Sequence, residues 1–333
     1  MSALMEGLIE RAKKAPRRVA LPECEAVKTL LAARRVLDEG IGLPVLVSPL
    51  DVIERCAKEA GVSLEGMEVV DVRDENAKTA LVSRYMEHPR LLSEKSYRRK
   101  IGDPMHYAMM LEEVGDADCT FCGHVNTTGD VLMAANTIIG LREGVDVASI
   151  AALAEIPGFA GPEGGVVGMG DCGLNPEPTV EELASIAISA CDNVQALMGW
   201  EPRCALLSFS TDGSGAGESV DKVRAAVDEV RRRRPGLKVD GEFQLDAAID
   251  PQVAQTKVKR ASEVAGRANV LVYPDLNAAN IAVKVIQRFA HGTVFGHNLS
   301  GFKRPVADSS RGATVEEIVG DIAMLVLSTQ IDG

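Results

Sequence analysis

Short runs rich in β-branched residues alternate with longer amphipathic stretches along almost the whole chain. "RVALPE" (18–23) reads as a strand, "AVKTLLAARRVLDEG" (26–40) as a helix closing on Gly40, and "LPVLVSP" (43–49) as the next strand. The rhythm returns with "DCTFCG" (118–123), "CALLSFS" (204–210), "ANVLVYPDL" (268–276) and "HGTVFGH" (291–297), linked by helical patterns over 180–197, 219–234 and 278–290. Apolar strands joined through helices predict βαβ units around largely parallel sheets covered on both faces, an α/β fold. A length of 333 residues leaves room for two such domains.

The formal net charge of −12 argues against a general nucleic-acid binder, but not against a small anion held by a local cluster of arginines. No apolar stretch approaches the roughly 20 residues a membrane helix needs. The N-terminal run mixes acids with bases and has no apolar core, so no signal peptide is expected. Seven cysteines, scattered among apolar runs, are expected as reduced thiols in a cytoplasmic protein. Cys119-Thr-Phe-Cys122, with His124 close behind, lacks the second pair a zinc site wants and reads as buried strand positions. No metal site is expected. The Gly/Pro-rich stretch 156–178 reads as a hairpin and loop and contains no phosphate-binding glycine motif. The run Arg231 to Arg234, before Pro235-Gly236, reads as a solvated helix end.

Chemistry concentrates in "VADSSRGATVEEIV" (306–319). Thr314 and Glu317 form a T-x-x-E capping box, so a helix starts there. Its N-terminus gathers unpaired N–H donors, and Ser310 with Arg311 just before it suggests a phosphate or carboxylate site. Three further loops sit where α/β proteins place ligands, beyond the carboxyl ends of strands. "SFSTDGSGAGES" (208–219) empties a strand into small polar residues. "VDGEFQLDAAID" (239–250) places Glu242, Gln244 and Asp246 on one face of an apparent strand. "YPDLNAANIAVK" (273–284) has Asn277 as a natural N-cap, with Asn280 and Lys284 less easily explained.

Together "LSFSTDGSGAGESVDKV" (207–223), "DGEFQLDAA" (240–248), "ANVLVYPDLNAANIAVKVIQR" (268–288), "RPVADSSRG" (304–312) and "DADCTFCGHVNTTGD" (116–130) resemble the phosphate acetyltransferase (phosphotransacetylase) family over nearly the whole chain. The resemblance implies a two-domain architecture like that of isocitrate and isopropylmalate dehydrogenases, with an interdomain cleft and usually a homodimer. The expected domains are 1–146 with 297–333, and 147–296. The implied reaction joins phosphate to the acyl group of an acyl-CoA, giving acyl phosphate and CoA without metal or prosthetic group; acetyl is the expected short acyl chain. By position in the family's S-R-G turn and following helix, Ser310, Arg311 and Glu317 are the implied catalytic residues. The matching loops supply Thr128, Ser210, Thr211, Gly213, Ser214, Asn277 and Asn280 as substrate-binding candidates. Arg311 would grip phosphoryl oxygens bidentately, and Ser310 would hydrogen-bond either thiol or carbonyl. A thiol of pKa near ~8.5 needs a base in the reverse direction, and the family's aspartate becomes Glu317, which is either that base or only the capping partner of Thr314.

Other departures share a direction. The family arginine of H-S-T-A-D-T-x-R-P falls on Met133, and the lysine of S-T-K-G-S on Asp212; Gly-Pro-Ile becomes Gly296-His297-Asn298. The arginine of an earlier L-R-K setting has only Arg84 or Arg90 as substitutes, and His297, Lys303 and Arg304 are possible replacement cations. Fewer cations where phosphates would lie leave two alternatives to the acyltransferase: a catalytically quiet relative that binds an anion or CoA-like ligand, or a nicotinamide-dependent hydroxy-acid dehydrogenase of the same superfamily.

Overall fold

Strand–helix alternation builds a mainly parallel sheet into each of two compact units, residues 1–140 with 302–333 and residues 141–301. The sequence reading puts the crossings at 146/147 and 296/297. The structure, a computed structural model, describes residues 2–296 and 298–329, so His297 lies outside the described residues.

The first unit runs α1 (Ala3–Ala12), β1 (Arg17–Leu21), α2 (Val27–Asp38), β2 (Gly42–Ser48), α3 (Leu50–Ala60), β3 (Glu68–Asp71), α4 (Glu75–Tyr85), α5 (Glu94–Lys100), α6 (Pro104–Glu113), β4 (Cys119–Cys122) and α7 (Thr128–Ile138). The second contains β5 (Ser149–Ile150), β6 (Ala152–Glu155), β7 (Val166–Gly170), α8 (Val180–Met198), β8 (Arg203–Leu207), α9 (Glu218–Arg233), β9 (Lys238–Phe243), α10 (Leu245–Ile249), α11 (Pro251–Lys257), β10 (Val270–Val272), α12 (Leu276–Phe289), β11 (Thr293–Phe295) and β12 (Asn298–Ser300). The chain then returns to the first unit as β13 (Val306–Asp308) and α13 (Val315–Ser328).

In the first unit the order β3-β2-β1-β4-β13 is parallel throughout. Helix α13 explains how this sheet is covered: Ile318 to Ser328 are all buried, as expected for a helix apolar all round. Gly320, in mid-helix, lets α1 come close, because a Cβ there would lie 2.9 Å from Met5 Sδ. Glycine inside a helix costs about 0.5–1 kcal/mol relative to alanine, which this packing offsets. The second unit orders its strands β11-β6-β7-β10-β8-β9. β7, β10, β8 and β9 are parallel, whereas β6 and β11 join antiparallel at one edge. The 156–178 stretch supplies the β6–β7 hairpin turn. Met169, Phe243, Leu271, Ala279 and Val283 form the core beneath that sheet.

Two local expectations are corrected. The strand carrying Glu242 stops at Phe243; Gln244 is the N-cap of α10 and Asp246 lies in its first turn, so the three acceptors share no strand face. Gln244 and Asp246 instead bind Lys257 Nζ at 2.9 and 2.6 Å. Asn277 does not cap α12, because Asp275 accepts from Ala278 N at 2.9 Å and starts the helix two residues earlier. The arginine run ending α9 is solvated as expected, with Arg231, Arg232 and Arg234 exposed, and it also pairs with acids: Arg231 with buried Asp240, Arg233 with Glu229 and Asp146, and Arg234 with Asp192. Apart from Glu229 on α9 itself, the complementary acids come from other elements, which one-dimensional charge patterning does not reveal.

Candidate active site

In the first unit three loops emerge at the carboxyl ends of neighbouring parallel strands β1, β4 and β13, the usual ligand end of such a sheet. Glu23, directly after β1 and 2% exposed, ties two of these segments together. One carboxylate oxygen accepts from His124 N at 2.6 Å; the other accepts from Asn126 N and Nδ2 at 2.9 and 2.8 Å. Gly123 has φ +102°, and a Cβ there would lie 2.6 Å from Ser309 N, so only glycine admits the β13–α13 loop this close. Ser309 N donates to Cys122 O at 2.8 Å. Burial pushes both the Cys119 and Cys122 thiols well up, and Cys122 Sγ donates to Ala307 O.

The turn itself is exposed at Ser310, Arg311 and Gly312. Gly312 N donates to Ser310 Oγ at 3.2 Å, and Ala313 N to Ser310 O at 3.0 Å. Lys28 Nζ, from α2, donates to Ala313 O at 2.8 Å and Arg311 O at 3.3 Å. No carboxylate pairs with the Arg311 guanidinium among the described residues. The predicted capping box is present: Thr314 Oγ1 accepts from Glu317 N at 3.2 Å, and Glu317 Oε2 accepts from Thr314 N at 2.7 Å and Oγ1 at 2.9 Å. A second capped helix start faces solvent nearby in sequence to Asn126, where Thr127 and Asp130 form another box and Thr128 is the first residue of α7. Asp130 is held below its usual range by hydrogen bonds from Thr127, with the Arg311 charge a lesser contribution.

The second unit's polar loop is built differently. Ser210 is fully buried; its Oγ donates to Glu242 Oε1 at 2.7 Å and accepts from Gly215 N at 2.8 Å. Gly213 N donates to the same Glu242 oxygen at 3.0 Å, and Arg224 grips Glu242 through Nε and a terminal nitrogen at 2.8 and 3.0 Å. Burial alone would raise the Glu242 carboxyl, but these donors outweigh it and bring it to about 2. Thr211 Oγ1 accepts from Gln244 N, and Ser214 Oγ from Thr211 N, at 2.8 and 2.9 Å. Asp212, at φ +49°, accepts from Lys259 N and Arg260 Nε. A cavity of about 440 Å³ lies beside this network, and each of its arginines, Arg224, Arg231 and Arg260, already meets a carboxylate. Asn277 and Asn280 are exposed on the first turns of α12.

Residues 3–326 match the model of the phosphate acetyl/butaryl transferase family. This chain belongs to that family. It is 40% identical over 331 residues to a phosphate acetyltransferase from Clostridium acetobutylicum, covering 98% of each chain. It is 37% identical to one from Thermoanaerobacterium thermosaccharolyticum, covering 98% of this chain and all of the relative. Among solved structures it is similar to the EutD phosphotransacetylase from Staphylococcus aureus, with TM-score 0.87, 28% identity and 98% of each chain covered. A phosphotransacetylase from Streptococcus pyogenes has the same TM-score at 29% identity, with 99% of each chain covered. A 4-hydroxythreonine-4-phosphate dehydrogenase from Klebsiella pneumoniae, at TM-score 0.53 and 10% identity over 95% of this chain and all of that one, shares the fold alone.

Against the family pattern, Met133 is 65% exposed on α7 and brings no charge. Neither proposed substitute arginine is idle. Arg90 stacks 3.9 Å over the Tyr85 ring and pairs with Glu113, leaving 11% of its side chain exposed. Arg84 pairs with Asp116 at 2.5 Å. Lys303 and Arg304 are exposed, and neither forms an ion pair among the described residues. Sequence reasoning missed Glu23, Lys28 and Asn126. Glu23 had a legible signal, an acid immediately past the carboxyl end of a parallel strand. Lys28 had none, because its partners lie 283 and 285 residues away.

Proposed function

We propose that this protein is a phosphate acyltransferase that joins phosphate to a short acyl group carried on CoA, by direct transfer in a ternary complex. The observation that supports this most is the β13–α13 turn: Arg311 is exposed without a carboxylate partner among the described residues, next to exposed Ser310, at the start of a capped helix. Arg311 holds phosphate oxygens through its planar fork, and Ser310 donates to the thioester carbonyl or the departing sulfur. Phosphate oxygen attacks the carbonyl carbon, the carbon–sulfur bond breaks, and CoA leaves as thiolate. Glu317 returns or removes the thiol proton, through the side chain that also closes the capping box. Loops 126–130 and 308–312 act in this reading with loops 209–217 and 275–280, on substrates held in an interdomain cleft. No metal or prosthetic group takes part, and the protein works in the cytoplasm as a homodimer.

Phosphate-dependent release of CoA from acetyl-, propionyl- and butyryl-CoA, with calorimetry against CoA, tests the reaction and its acyl preference. CoA binding without turnover would favour the quiet-relative reading that Met133 and Asp212 suggest. Intersecting initial-velocity lines are expected; parallel lines would replace direct transfer by a covalent intermediate. Activity should survive EDTA, and light scattering should report twice the 35.4 kDa chain mass. A structure with CoA and phosphate bound in which Ser310 contacts neither would remove the site.

A further inference from the structure

The imidazole of His124 touches the same turn from beneath. Its Nδ1 lies 3.3 Å from Ser310 O, and a carbonyl can only accept, so Nδ1 carries the proton. Nε2 is therefore the unprotonated nitrogen, and it is buried with no hydrogen-bond partner among the described residues. The ring rests against Phe121, centroids 5.4 Å apart, while Glu23 holds the backbone N–H of the same residue. Ser310 O thus receives two donors, His124 Nδ1 and Ala313 N, and Lys28 takes the carbonyls of residues 311 and 313.

Across a trans peptide the carbonyl of one residue and the N–H of the next point in opposite directions. Carbonyls 310 and 311 are drawn toward His124 and Lys28, so the N–H groups of Arg311 and Gly312 are turned the other way, and Gly312 N meets the Ser310 hydroxyl. The path of the turn that presents the Ser310 hydroxyl and the Arg311 guanidinium is thus set by these two carbonyl contacts.

We propose that His124 is a positioning residue for acyl transfer: as a neutral imidazole protonated on Nδ1, it holds the Ser310 carbonyl and so fixes the turn that presents the Arg311 guanidinium to phosphate and the Ser310 hydroxyl to the thioester. Protonating Nε2 would place an N–H donor in a buried position with nothing to accept it. Glu23 on the β1–α2 loop and Asp321 on α13 favour the cation, and Lys28 on α2 opposes it. Burial outweighs the two acids and lowers the histidine from its ordinary value, so the ring is neutral near pH 7.

The functional arm of the test rests on the acyltransferase reading, and the spectroscopic arm does not. Nitrogen-15 NMR of the intact protein should show His124 protonated on Nδ1 at neutral pH; a proton on Nε2 would overturn the proposal. His124→Leu removes the donor, and kcat/KM for phosphate should fall roughly tenfold, the worth of one well-placed hydrogen bond. His124→Asn puts an amide donor close to the Nδ1 position without a titrating group, and should recover most of that loss. In wild type the acid limb of the kcat/KM profile for phosphate should contain a drop below pH ~6.5. That drop should vanish in His124→Asn, while the limb caused by phosphate's own ionisation stays in both. If His124→Asn is as impaired as His124→Leu, or keeps the full acid limb, the positioning role is wrong, and this holds even where His124→Leu does not fold. Should the wild-type protein release no CoA with any of the three acyl-CoAs, the acyltransferase reading fails, and the NMR result alone decides whether His124 holds the turn.

Discussion

The turn after β13 and the loop after β8 occupy the same topological place, the carboxyl end of a parallel strand, and are built in opposite ways. In the first unit, side chains from other elements hold the turn's backbone: Lys28 and His124 take carbonyls, while Ser310 and Arg311 face solvent. In the second, side chains are spent on one another, with Ser210, Arg224 and the backbone N–H of Gly213 all committed to Glu242. Both loops contain the small polar residues that suggest ligand binding. Only accounting for each donor and acceptor shows that one loop turns its polar side chains to solvent while the other commits them to a buried carboxylate.

The largest expected effect falls on the exposed turn. Arg311→Ala should lower kcat roughly 100- to 1,000-fold, the scale of losing a preorganised electrostatic partner, with little change in thermal midpoint. Arg311→Lys should rescue poorly, since a point charge does not reproduce the fork. Unchanged acyl transfer in Arg311→Ala would erase the distinction between the two loops. For the braced loop the pattern should invert. Ser210→Ala should destabilise by about 2 kcal/mol, because it strips a buried hydrogen bond from a carboxylate, and denaturant melts should register it more strongly than steady-state rates.

The carboxylate at the centre of that brace adds a pH signature. Glu242 is depressed from 4.5 to about 2 in the folded protein, so its contribution is present above the unfolded value and is lost as pH falls from 4.5 toward 2. Acid titration of stability should show this slope in wild type and a shallower one in Glu242→Gln. A smaller effect is expected at Glu317. Glu317→Ala should cost about 1 kcal/mol through the lost capping box. Glu317→Gln should keep the cap yet nearly abolish thiol-dependent transfer if the carboxylate is the base. Activity equal to wild type in Glu317→Gln would leave capping as its only role. The smallest effect belongs to Asp212→Ala, which removes a half-exposed pair with Arg260 and should shift stability by no more than about 1 kcal/mol.

Much of this was legible in one dimension. Period-2 and period-3.6 patterns located β1, β2, β4, α8, α9 and α13, and the Thr314–Glu317 box was read correctly to the residue, because such signals act within a few positions of each other. The errors arose where two local signals competed. Asn277 and Asp275 are both competent caps, and the alternating acceptors of 242–246 imitate a strand that in fact ends at Phe243.

The sequence alone therefore determined the α/β class, the family, and the turn around Ser310 and Arg311, since each rests on contiguous residues. Only the tertiary structure decided which polar groups are free to act. His124 meets Ser310 across 186 positions and Lys28 meets Arg311 across 283, whereas Arg90 is withdrawn by Glu113 and Tyr85. A hydrogen bond is satisfied or left open by whatever the fold brings within about 3 Å of it, and that distance has no counterpart along the chain.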